Sequence, residues 1–117
     1  MRRTGLLLMP LALLAGCASP TIYSWGHYED VLYAMYSAPD TMPPERQVEL
    51  LEADFQKARS QNKPVPPGWH AHLGYLYYQL GKTDQARQEF ETEKAQFPES
   101  VVFMDRLLAN LSKTDKK

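Results

Sequence analysis

The sequence predicts an all-α fold of about five helices behind a cleaved leader. Three observations carry this expectation. No stretch alternates apolar and polar residues with period two. Apolar residues recur instead at helical spacing in five stretches, separated by proline, glycine or polar breaks. One segment also repeats small and large residues at the offsets of a helical hairpin.

The leader comes first. Arg2 and Arg3 form a positive start, and Leu6 to Leu14 form an apolar run too short for a membrane span, which needs ~20 residues. Leu14-Ala15-Gly16-Cys17 then matches the bacterial lipobox. Cleavage needs small side chains, and the thiol of Cys17, the single cysteine, accepts a diacylglycerol. Residues 1–16 are read as a lipoprotein signal peptide and Cys17 as the lipidation site. Acyl chains add ~0.8 kcal/mol per buried methylene, so two or three of them anchor the chain. Ala18 stands where aspartate resembles an inner-membrane retention signal. The expected location is therefore the outer membrane, lipid-anchored and facing the periplasm.

Residues 17–23 form the lipidated end and a short tether. Residues 24–113 form the helical domain, and residues 114–117 a polar tail. An aromatic stretch, Tyr23 to Tyr28, precedes a first helix ending near Tyr36, with Val31, Leu32, Met35 and Tyr36 at helical spacing. Trp25 and Tyr28 fit either the bilayer surface or packing against the next helix. Ala38-Pro39-Asp40 breaks the chain, and Pro43-Pro44 opens a second helix to about Ser60. Its apolar face is Val48, Leu51, Phe55 and Ala58. Pro64, Pro66 and Pro67 make the following stretch a loop. A third helix is expected from Pro67 to Leu80, with Gly81 as its C-cap residue. Asp84 is expected to cap a fourth helix that ends at Phe97-Pro98. The fifth begins near Ser100 and aligns Val101, Met104, Leu107, Leu108 and Leu111. The polar end from Lys113 is expected to fray.

Pro67 to Ser100 is 34 residues long, the tetratricopeptide period. Leu73-Gly74, Tyr77, Gly81, Ala86, Phe90 and Pro98 occupy the positions of that pattern. Gly74 and Ala86 allow close helix approach, and Tyr77 and Phe90 fill the space between. Trp69 is shifted by one from the usual aromatic, and Glu93 replaces a common alanine. One repeat cannot bury its own apolar face, so the flanking helices must help. The first two helices are read as a degenerate preceding repeat and the fifth as a cap. In such a stack the first helix of each repeat lines a groove. Ala71, Tyr75, Tyr78 and Gln79 are the residues expected to face it and bind a partner. Tyr75 and Tyr78, about one turn apart, suit an interface, and coverage by neighbouring helices is the alternative.

Lipobox, Tyr23 to Glu29, Pro66-Pro67-Gly68 and Leu73 to Tyr77 together resemble small proteobacterial lipoproteins called domain of unknown function 4810. The resemblance spans most of the mature chain. It implies a cell-envelope complex with other lipoproteins, one of them similar to the curli secretion channel subunit. It supplies no catalytic residues.

Composition narrows the function further. Arg2 and Arg3 leave with the leader, so eleven Lys and Arg face fourteen Asp and Glu. A mildly acidic domain lacks the electrostatic footprint of nucleic-acid binding. One cysteine excludes a disulfide framework. His70 and His72 are two apart and fall on different helix faces, and His27 has no adjacent carboxylate motif. Glu89, Glu91 and Glu93 read as a solvated face. No phosphate loop or catalytic serine or zinc motif occurs. No metal, cofactor, small-molecule substrate or enzymatic activity is expected. The leading function is a non-enzymatic interaction or assembly module among envelope lipoproteins. The alternatives are a pilotin-like assembly chaperone for a secretion or pilus channel, and a regulator of a periplasmic cell-wall enzyme.

Overall fold

The computed structural model describes Gly16 and residues 20–116. The expected signal peptide (apart from Gly16), Cys17 and the start of the tether lie outside the described residues, as does Lys117. Every regular element among the described residues is helical. They are α1 (Tyr28–Ser37), α2 (Pro44–Ser60), α3 (Trp69–Gln79), α4 (Thr83–Gln96) and α5 (Val101–Thr114). Short 3-10 turns at Pro39–Thr41 and Pro98–Ser100 precede α2 and α5. No helix among the described residues is long and apolar enough to cross a membrane.

Helix ends follow local chemistry. After α3, Gly81 takes a left-handed φ of 72°. The Lys82 N–H returns to the Tyr77 carbonyl and the Gly81 N–H to that of Tyr78. This is a Schellman closure, which favours glycine because it lacks a Cβ. Asn62, at φ 55°, closes α2 the same way, with Lys63 N–H on the Ala58 carbonyl. Two helix starts differ from the sequence expectation. α3 begins at Trp69, because Gly68 turns at φ 88° after Pro66 and Pro67. α4 is preceded by Lys82, so Asp84 lies inside its first turn and makes no side-chain cap bond. An acid there still complements the positive helix end. At the other terminus, α5 runs on to Thr114, and Arg87 pairs with Asp115 at 2.8 Å.

α3 and α4 are the most closely packed helices, followed by α4 with α5 and α2 with α3. The reason is visible at Gly74. A Cβ there would stand 2.6 Å from Phe90 Cε1 and 3.2 Å from the Ala86 carbonyl oxygen. Ala86 and Phe90 are buried, as are Leu73, Leu76 and Tyr77. Val48, Leu51 and Ala58 of α2 and Met104 and Leu111 of α5 join the same core. The flanking helices therefore cover the apolar faces that one hairpin leaves open. α1 packs less closely than the other helices do, and it contributes the buried Tyr28 and the fully buried Val31 to the core. Tyr36, read as part of its inner face, is exposed, and so is Tyr33.

Candidate functional site

The residues singled out on α3 divide. Tyr75 and Tyr78 are 42% and 44% exposed, so both hydroxyl-bearing rings reach solvent while their inner edges pack. They line a groove of about 120 Å³ with Phe90 of α4 and Leu107, Asn110 and Leu111 of α5. Gln79 is exposed and donates from Nε2 to the Tyr75 hydroxyl at 3.3 Å, steadying that ring. Ala71 is half-buried and packs against the core. The terminal helix thus forms one wall of the groove and leaves the tyrosine pair open. Tyrosine in such a place offers apolar area with a polar tip, at the cost of few rotamers.

The opposite face of α3 is polar and tied by acids. Tyr77, buried in its ring, donates its hydroxyl to Glu52 of α2. Burial, that hydrogen bond and the charges of Glu52 and Glu89 push its hydroxyl well above the ordinary tyrosine range. His70 Nδ1 lies 2.6 Å from Glu89 Oε2. A carboxylate only accepts, so Nδ1 is the donor in this contact. Trp69 stacks on Phe55 at 5.4 Å and is 1% exposed.

His72 points into the core. Its Nε2 is 3.2 Å from Gln47 Oε1, and Gln47 Nε2 donates to the Met42 carbonyl at 2.8 Å. Gln47 therefore presents its oxygen to the ring, which donates from Nε2. Burial lowers the His72 pKa to about 4 and keeps it uncharged.

Two expectations about acids and histidines are corrected here. Glu93 does not lie on a solvated face. It is 2% exposed, and its Oε1 accepts the Gly68 N–H at 2.6 Å. The acid that replaces alanine in the repeat pattern thus satisfies an orphan donor at the start of α3. Its charge, after burial, raises the Tyr28 pKa. Glu89 is also drawn inward, to His70, and Glu91 alone of the three is exposed. His27 does have a carboxylate, supplied by α2. Asp54 accepts the His27 backbone N–H at 2.6 Å and lies 3.0 Å from its Nδ1.

That clamp fixes the aromatic stretch. Gly26 adopts φ 48° directly against the Asp54 carboxylate, where any Cβ would collide. Ser24 N–H binds the Pro64 carbonyl at 2.8 Å, and Tyr23 meets Phe97 edge-on. Tyr28 is buried beside His72, so it belongs to the core; Trp25, 6.2 Å from Tyr28, stays 38% exposed. The stretch from Tyr23 to Tyr28 is therefore held against the body. No fixed spacing in sequence marks the Asp54, Glu89 and Glu93 contacts, which join residues 27, 19 and 25 positions apart.

Comparisons with curated proteins and with solved structures returned no match. One family does match, described as Domain of unknown function (DUF4810). Its match begins at Ile22 beside the aromatic stretch and ends at Leu107 in α5, taking in the Asp54 clamp, the α3–α4 hairpin and both tyrosines. With nearly three quarters of the sequence covered, the chain belongs to this family.

Proposed function

We propose that this protein is a non-enzymatic lipoprotein of the outer membrane whose helical domain docks a second envelope protein, another lipoprotein, from the periplasmic side. The observation that carries the docking half is the open pair Tyr75 and Tyr78 beside the apolar groove of α3, α4 and α5. Large aromatic side chains half out of water, rimmed by polar Gln79 and Asn110, have the make-up of an interface centre. The anchoring half rests on the leader and Cys17. Anchoring and docking support one another physically. A tether of a few residues confines the groove near the bilayer, which raises its effective concentration toward any partner in the same membrane.

Membrane fractionation with labelled palmitate tests the anchor. The wild-type chain is expected in the outer-membrane fraction and labelled. Cys17→Ser is expected unlabelled and released from that fraction. An unlabelled wild-type protein in the soluble periplasm contradicts the anchor. Docking is tested by co-purification of the envelope complex from membranes of wild type and of Tyr75→Ala/Tyr78→Ala. Truncating two interface-centre aromatics is expected to cost ~2–4 kcal/mol of binding, enough to lose the partner on washing. Full recovery with the double variant contradicts the docking surface.

A further inference from the structure

Between Asp54 and Asp84 the sequence holds no acid. Lys57, Arg59 and Lys63 stand together early in that interval. All three are exposed, and none has an acidic partner among the described residues. Lys57 and Arg59 complement the negative end of α2, but Lys63 lies past the helix and has no such role. A domain richer in acids than in bases thus gathers three unpaired cations at one end.

The aromatic stretch is fastened to that same end. Ser24 N–H binds the carbonyl of Pro64, next to Lys63, and His27 N–H binds Asp54, a turn before Lys57. Tyr23, Lys63 and Phe97 line one cavity of about 300 Å³. Phe55, with the Arg59 guanidinium 6.0 Å from its ring, is another wall. No acid lines it: Asp54 is taken by His27, and Glu29, Asp30 and Glu99 lie outside the lining. Two large apolar side chains of the fastened stretch stay in water, Ile22 at 76% exposed and Trp25 at 38%. Apolar bulk beside unpaired cations suits a phospholipid surface. Tryptophan settles at headgroup level, and Lys and Arg reach phosphates over apolar stems.

Chain length selects the occupant. Cys17 precedes Tyr23 by six residues, at most about 22 Å of extended chain. A diacylglycerol on Cys17 therefore holds this end close to the phosphates of its own leaflet. We propose that the end formed by Ile22, Tyr23, Trp25, Lys57, Arg59 and Lys63 lies on the bilayer. The cations meet anionic phospholipid, and Ile22 and Trp25 enter the headgroup layer. This second contact rests on the reading of Cys17 as the lipid anchor, and it adds an orientation to that anchor. α2 and α4 end here and α3 begins here, so the helices rise from the bilayer. Tyr75 and Tyr78, about two turns along α3, are then carried toward the periplasm.

Tryptophan quenching of the full lipidated protein in vesicles tests the proposal. The vesicles are phosphatidylethanolamine with brominated acyl chains, with or without phosphatidylglycerol. Trp25→Phe supplies the background of Trp69, which is 1% exposed. Mass spectrometry and flotation of the same samples report the anchor. The Trp25 signal is expected to be quenched at least about threefold more with phosphatidylglycerol than without it, and high salt is expected to remove the difference. Lys57→Gln/Arg59→Gln/Lys63→Gln is expected to float, keep its helix content and lose that difference. Ile22→Ser, on a side chain outside the core, is expected to lower quenching about twofold in both vesicles. A chain that carries its acyl groups and floats while Trp25 stays unquenched overturns the bilayer contact and leaves the anchor standing. Equal dependence on phosphatidylglycerol in the triple variant and the wild type also overturns it. A chain without acyl mass that does not float removes both readings.

Discussion

Gly74 has no room for a methyl group. Its Cβ position meets the Phe90 ring on one side and the Ala86 carbonyl on the other, and only the ring can give way. Gly74→Ala is expected to cost ~1–3 kcal/mol by forcing α3 from α4, read as a lower urea midpoint. Glu93 is a second point where one group decides the local structure. Glu93→Gln keeps an acceptor for the Gly68 N–H and removes a buried charge, so stability should change by less than ~1 kcal/mol. Glu93→Met removes the acceptor and is expected to lose ~1–3 kcal/mol. His72 sets part of the acid limit. Its folded pKa of about 4 lies below the ~6.5 of an unfolded chain, so the unfolded state binds the extra proton. The stabilisation is complete above pH ~6.5 and is lost as pH falls toward 4, by up to ~3 kcal/mol. In His72→Gln the denaturant midpoint should fall less steeply across that window than in wild type. Equal slopes contradict a buried neutral ring.

The α3–α4 hairpin was legible because its packing is periodic. Gly74 meets Ala86 and Phe90, Leu73 and Tyr77 are buried in the same core at spacings set by 3.6 residues per turn, and Gly81 announces the turn. The five helices could be placed for the same reason, with starts off by one or two residues where Pro67 and Asp84 suggested earlier or different caps. The contacts that fix the aromatic stretch were not legible. Asp54 looks like one more exposed acid of α2 until folding brings His27 and Gly26 against it. Glu89 and Glu93 likewise look like a solvated row until α3 supplies His70 and Gly68. Buried polar pairs depend on tertiary placement, which no sequence period encodes. Asp54→Ala tests the clamp. Amide exchange of residues 24–28 should accelerate, because the His27 donor loses its acceptor, while protection in α3 and α4 stays unchanged. Loss of protection throughout would make Asp54 a residue of the global core instead.

The molecule as a whole is a helical stack with two unlike faces on one central helix. On one side of α3 two half-exposed tyrosines flank an apolar groove; on the other, carboxylates surround a cavity. Membership of its family and the all-helical body are established, and the docking role is the claim that gives the tyrosine face a purpose. In-cell photo-crosslinking tests it most directly. A photoreactive residue is placed at Tyr75, at Tyr78 and, for comparison, at the buried Trp69, in chains verified as folded and lipidated. Discrete crosslinks from positions 75 and 78 to one envelope protein, with none from position 69, are the predicted result. Silence at both tyrosines, or the same products from all three positions, would contradict a docking surface on this face.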